Sequence, residues 1–146
     1  MGIYRNIVDS DVTTALIMED DIDINATEVA KMAEVCDRLP TGWDIILLGC
    51  TNRDRPQHPV IDGFQRVDWF WGLHCYLIHR EAARRILTHL LPIRYQIDHV
   101  LSEMSAAGKL NVYRTVPEIV RQTRAPTQIQ VPLLTNDPKY VTRHKK

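Results

Sequence analysis

Along this chain the apolar positions switch between a two-residue and a three-to-four-residue period, and the switches mark out alternating strands and helices. Residues 14–18 form an apolar run that ends abruptly at Glu19-Asp20-Asp21, which predicts a buried strand carrying carboxylates at its C-terminal end. Asn25 followed by Glu28 has the form of a capping box and predicts a helix start. Val29, Met32, Ala33 and Cys36 fall at i, i+3, i+4 and i+7 and predict the apolar face of that helix, with Pro40-Thr41-Gly42 ending it. Residues 44–48 predict a second buried strand, stopped by Gly49. Residues 51–62 are polar, contain Pro56 and Pro59, and predict a loop.

Residues 64–71 alternate in polarity and predict an extended, antiparallel segment; residues 74–78 predict another strand. Residues 81–91 predict a helix with Ala83, Ile86, Leu87, Leu90 and Leu91 on one side, ended by Pro92. Residues 96–107 predict a second helix with Ile97, Val100, Leu101 and Met104 facing the core and Gly108 at its C-terminal cap. Residues 110–113 predict a short strand. From Pro126 onward the periodicity is lost, so residues 126–146 predict an irregular tail. Strands alternating with helices make this an α/β chain with a mixed sheet flanked by helices.

The length of 146 residues suits one domain. Eighteen basic and eighteen acidic side chains cancel, so no global field draws the chain to nucleic acid or to an anionic membrane. The basic end Arg143-His144-Lys145-Lys146 is short, as solvated termini often are. No apolar run is long enough to span a bilayer, and the N-terminus does not read as a signal peptide. Cys36, Cys50 and Cys75 are odd in number and lack metal-ligand spacing, which points to thiols in a reducing compartment and to a cytoplasmic location.

Glu19, Asp20 and Asp21 carry the candidate chemistry. Three adjacent carboxylates repel one another, and are tolerated when solvated or when a cation or basic group neutralises them. Hard divalent cations such as Mg²⁺ and Mn²⁺ prefer such oxygen ligands and commonly bridge to phosphates. Two other acidic strand ends are excluded. Signalling receiver domains open on a similar motif, but Gly49 stands where their phosphate-accepting aspartate would follow the next strand, and no Lys-Pro pair takes the place of their lysine. Asp21-Ile22-Asp23 imitates the DxD of aspartyl-phosphate phosphatases, but Asn25 stands where those enzymes need Thr or Val.

Several separated segments together resemble glycosyltransferase family 25, which includes lipopolysaccharide and collagen galactosyltransferases. Ala15-Leu16-Ile17-Met18-Glu19-Asp20-Asp21 is similar to the family's "ALILEDD", and Trp43-Asp44-Ile45-Ile46-Leu47-Leu48-Gly49 to its "WDxxxLG". Gly72, Tyr76-Leu77-Ile78, Ala82-Ala83 and Ile86-Leu87 resemble the glycine, "YLIS" and "GAxxLL". Pro92 with Ile97-Asp98, and then Val112-Tyr113, Pro117-Glu118-Ile119-Val120, Gln122 and Ile129-Gln130, follow in the family's order. Departures are His79-Arg80-Glu81 at the "S" and "G" positions and Thr127 at a late serine position.

The resemblance implies a truncated GT-A domain with a Rossmann-like mixed sheet, residues 1–146 matching its C-terminal two-thirds. The strand–helix half that contacts the nucleotide base would stand before the acidic strand. The implied activity is transfer of a hexose, galactose by the resemblance, from a UDP-sugar to a glycan or protein-linked hydroxyl, with Mn²⁺ or Mg²⁺ at the acidic strand end. The alternative is a non-catalytic remnant or partner subunit with weak sugar-nucleotide binding. Either reading expects self-association or a second polypeptide.

By the same resemblance, Asp21 is the metal ligand with Glu19 beside it, and Glu19 or Asp20 faces the donor. Gln122 is a donor contact or a loop hydrogen bond. Asp98 is either the group that positions and deprotonates the acceptor or a favourable charge at a helix start. Trp69, Trp71 and Tyr76 are candidates for stacking on sugar rings, with core packing as the alternative for each and the stronger one for Tyr76 within its strand. His74 is a lesser metal-ligand candidate.

Overall fold

The computed structural model describes residues 2–51, 58–90 and 95–123. The predicted tail at 126–146, the ending of a helix at Pro92, and the motif residues Thr127, Ile129 and Gln130 lie outside the described residues. The described chain is a mixed α/β unit. It runs α1 (Gly2–Asp9), β1 (Thr14–Met18), β2 (Ile22–Asp23), α2 (Ala26–Cys36), β3 (Ile45–Gly49), β4 (Val60–Ile61) and β5 (Phe64–Arg66). Then follow β6 (Cys75–His79), α3 (Arg80–His89), α4 (Ile97–Ala106), β7 (Val112–Thr115) and β8 (Arg121–Gln122).

Six strands form one sheet in the order β1-β6-β3-β7-β5-β4, and β2 pairs with β8 separately. β3 and β7 are parallel, while β6 lies antiparallel between β1 and β3. β3 has no solvent face: Ile45 and Leu47 pack on one side, Ile46 and Leu48 on the other. This is why its sequence is a continuous apolar run rather than an alternating one. β6 divides in the same way, with Tyr76 and Ile78 on the first side and Cys75 and Leu77 on the second.

The first side of the sheet is covered by α1, α3 and α4 through Tyr4, Ile7, Ala83, Ile86, Leu101 and Met104. The second is covered by Val35 of α2 and by Val120. Asp44 locks the start of β3 to β7: one carboxylate oxygen accepts the Asn111 N–H at 2.8 Å, and the other pairs with Arg85 of α3. Gly49 closes β3 where other backbone crosses it. A Cβ there would lie 2.4 Å from the Val120 carbonyl and 2.6 Å from the His74 ring, so only glycine permits the approach.

Several expectations need correction. Residues 14–18 do form β1, but it is an edge strand: Leu16 and Met18 are 42% and 52% exposed. An apolar run is buried on both faces only with covered neighbours, and among the described residues β1 pairs with β6 alone. The capping box at Asn25 and Glu28 is present, but Val29, Ala33 and Cys36 face outward and Val35 is the buried residue of α2. The strand expected at 110–113 begins at Val112 and ends at Thr115. Within 51–62 the structure places β4, joined to β5 by the two-residue turn Asp62-Gly63, both at positive φ as a type I′ hairpin requires. Of residues 64–71 only 64–66 are strand. α1 was not expected at all; its Tyr4 hydroxyl meets the Tyr76 hydroxyl at 2.7 Å in the core.

No helix among the described residues is long and apolar enough to cross a membrane.

Candidate functional site

The acidic triplet and Asp98 are brought together by one short segment, residues 72–74. β1 ends because Glu19 leaves the strand, yet its N–H still donates to the His74 carbonyl at 2.8 Å. Two residues earlier, the Gly72 N–H donates to Asp98 Oδ2 at 3.1 Å. Asp98 Oδ1 accepts the N–H of His99 at 2.8 Å. The carboxyl of Asp98 is therefore held by two backbone donors at the first turn of α4. Gln96, the residue preceding this helix, caps it with no side-chain bond, so Asp98 supplies the negative charge at its positive end.

Gly72 is indispensable to this arrangement. Its φ is +70°, and a Cβ would stand 2.3 Å from Thr51 Oγ1. Gly72→Ala is expected to cost about 1–2 kcal/mol in backbone strain alone, and thermal unfolding should shift down by about 2–8 °C. An unchanged melting temperature would show that the 72–74 segment adapts at no cost.

Asp21 is fixed from the other side. Thr123 N–H donates to its carbonyl at 2.7 Å, continuing the β2–β8 pairing. Gln122 Nε2 donates to Asp21 Oδ2 at 2.5 Å. Asp21 Oδ1 is buried and has no hydrogen-bond partner among the described residues. Asp20 is exposed in the turn between β1 and β2. Glu19 feels all of these neighbours. Partial desolvation raises its carboxyl above the usual glutamate value, and the charges of Asp21, Asp98 and Asp20 raise it further. The structure thus places Glu19, Asp20, Asp21, Asp98 and Gln122 around one strand end.

The direction of that shift sets a pH dependence. The folded chain holds the Glu19 proton at pH values where the unfolded chain has released it, so stability falls as pH rises through the raised value. Glu19→Gln removes this loss. Below the ordinary glutamate range the variant and the parent should melt alike; above the raised value the variant should be the more stable. Parallel melting curves across that whole range would show Glu19 to be electrostatically indifferent.

Compared with known families and curated proteins, the chain matches no family model and no curated sequence.

The aromatic candidates separate. Tyr76 is buried in β6 and bonded to Tyr4, so it is a core residue and not a stacking surface. Burial pushes the Tyr4 hydroxyl up to about 12 and the Tyr76 hydroxyl higher still, so both remain protonated. Trp69 and Trp71 instead meet edge to face, with ring centroids 5.8 Å apart, and Trp71 reaches the surface. They are carried by a strip that α4 clamps with two buried serines. Ser102 Oγ accepts the Phe70 N–H at 3.0 Å and donates to the Phe70 carbonyl at 2.7 Å, and Ser105 Oγ donates to Val67 at 2.7 Å. This clamp replaces the ladder bonds that the strip lacks.

His74 is buried below Glu19, with Nε2 3.9 Å from Glu118 Oε1. Glu118 also accepts the Cys50 N–H at 3.0 Å. Among the described residues, no group of three His, Cys, Asp or Glu side chains could hold a metal ion. Sequence reasoning missed Glu118, Tyr95 and His99. For His99 a signal existed: Glu103 stands four residues on, and the two side chains pair at 3.2 Å.

Proposed function

We propose that this chain carries the active centre of a metal-dependent glycosyltransferase of the family-25 kind, moving a hexose, galactose by the resemblance, from a UDP-sugar to a hydroxyl on a glycan or protein. The observation that carries this reading is the meeting of Glu19, Asp20 and Asp21 with Asp98 across residues 72–74. The mixed sheet, with β6 antiparallel inside it, is compatible with an α/β fold, the class to which the GT-A reading belongs.

The donor set fits a hard cation in part. Asp21 offers the buried, unbonded Oδ1, and Gln122 orients its other oxygen. Without a third protein ligand among the described residues, Mg²⁺ or Mn²⁺ would take its remaining ligands from phosphate oxygens and water, the usual habit of Mg²⁺. A cation held by Asp21 would supply Lewis-acid neutralisation of the charge on the departing diphosphate. The chain's own residues do the rest. Gln122 keeps Asp21 aimed, and His74 fixes the start of the acidic turn. As the acceptor oxygen bonds to the anomeric carbon and the bond to diphosphate breaks, the hydroxyl proton passes to the Asp98 carboxylate.

Calorimetric titration of UDP-galactose with and without Mn²⁺, joined to a transfer assay, tests the proposal. Binding that needs the cation, followed by sugar transfer, is expected; cation-independent binding or none overturns it.

A second reading, a non-catalytic remnant or partner subunit, is favoured by the outer edge of β1, which no other described strand pairs, and by the exposure of Leu16 and Met18 on that strand. Unpaired strand edges invite pairing with another chain. This reading expects self-association or a second polypeptide in light scattering together with absent turnover. A monodisperse monomer with strong cation-dependent turnover excludes it.

A further inference from the structure

Beside Asp98 lies a group of rings that the acidic centre does not use. The His99 imidazole touches three aromatic rings: Tyr95 at 4.9 Å between centroids, Trp69 at 5.4 Å and Trp71 at 6.0 Å. Glu103 holds its Nε2 at 3.2 Å. Trp71 is 37% exposed and Tyr95 60% exposed. Trp69 meets both Trp71 and His99 edge to face and braces them. Both ends of the group are tied to Asp98: His99 through its own N–H, Trp71 through the N–H of the next residue, Gly72.

We propose that Trp71 and Tyr95, spaced by His99, form the subsite for the acceptor's pyranose ring and set the hydroxyl of that ring against Asp98. This rests on the transferase reading and adds to it an acceptor class, a hexopyranose with one unobstructed C–H face, and two residues, Tyr95 and His99. The chemistry of the surface selects this occupant. Aromatic faces attract the apolar C–H face of a sugar, whereas the flanking Asp98 and Glu103 carboxylates match its rim of hydroxyls. His99 is a positioning residue here: it acts by holding Trp71 and Tyr95 apart at the right spacing.

Saturation-transfer NMR on the full chain, with no nucleotide or cation present, tests the subsite with methyl β-D-galactopyranoside, with mannitol as an open-chain polyol, and with UMP. The galactoside should bind saturably through its C–H face, mannitol should not bind, and UMP should not compete. Trp71→Ala and Tyr95→Ala should each weaken galactoside binding by about two- to tenfold, the range for one lost stacking partner. His99→Ala should weaken it comparably and His99→Phe should restore it, with melting temperatures recorded for each variant. In the transfer assay the same truncations should raise the acceptor KM and leave the donor KM unchanged. Equal galactoside binding by parent and Trp71→Ala, binding of mannitol as well as galactoside, or competition by UMP overturns the subsite. Galactoside binding lost with Trp71 but accompanied by no transfer from UDP-galactose overturns the transferase reading and supports the subsite. Transfer with an acceptor KM unmoved by the variants does the reverse.

Discussion

Changing Asp98 to asparagine is expected to lower turnover in the transfer assay by about 10²–10⁴-fold, the usual contribution of a positioned acid–base group. The side chain keeps its size, and its remaining oxygen still accepts one of the two backbone N–H groups from Gly72 and His99. The amide nitrogen then faces the other donor, which costs about 1–3 kcal/mol for an unsatisfied group. A moderate fall in melting temperature should therefore accompany the much larger loss of turnover. Normal turnover in a destabilised variant would make Asp98 a fastener for Gly72 and nothing more.

The second large effect belongs to Asp21. In Asp21→Asn the carbonyl oxygen can still accept from Gln122, so the β2–β8 ribbon should survive. What is lost is the charge that a hard cation needs. Cation-dependent binding of UDP-galactose should weaken by at least about 10–100-fold, since even an outer partner of a metal ligand commonly accounts for that much. Calorimetry with and without Mn²⁺ measures it directly. Unchanged cation-dependent binding would remove Asp21 from the donor site.

The sequence carries the local determinants of this fold legibly and the long-range ones faintly. β1 was placed to the residue because charge follows the apolar run at once. The capping box at Asn25 was legible because both its partners lie within four residues. The face of α2 was not, because two stripes overlap: Val29, Met32, Ala33 and Cys36 compete with Met32, Val35 and Leu39, and only the packing of Ile46 and Leu48 selects the second. α1 escaped notice because it is a short helix whose buried face rests on Tyr4 and Ile7. Glu19, Asp20 and Asp21 stood out as a cluster, but the bonds that organise the centre join residues far apart in the chain. Gly72 to Asp98 spans 26 positions and Asp21 to Gln122 spans 101. Period and propensity describe neighbours, so they place such residues on elements without saying which elements meet.

The alternating bonding of β1 has a measurable consequence. Glu19 N–H donates to His74, and Arg80 N–H donates to Thr13, which sets the phase of the β1–β6 ladder. In an antiparallel pair the bonded positions alternate. The amides of Ala15 and Ile17 therefore turn inward to β6, and those of Leu16 and Met18 turn outward to the side where no described strand pairs with β1. Hydrogen exchange along five residues should thus beat with a period of two, slow at 15 and 17, fast at 16 and 18. Any strand that docks there, from whatever chain, would slow the fast pair and leave the slow pair unchanged. Two amides next to the carboxylate turn would then report when the sheet is extended, with no need for substrate, cation or turnover.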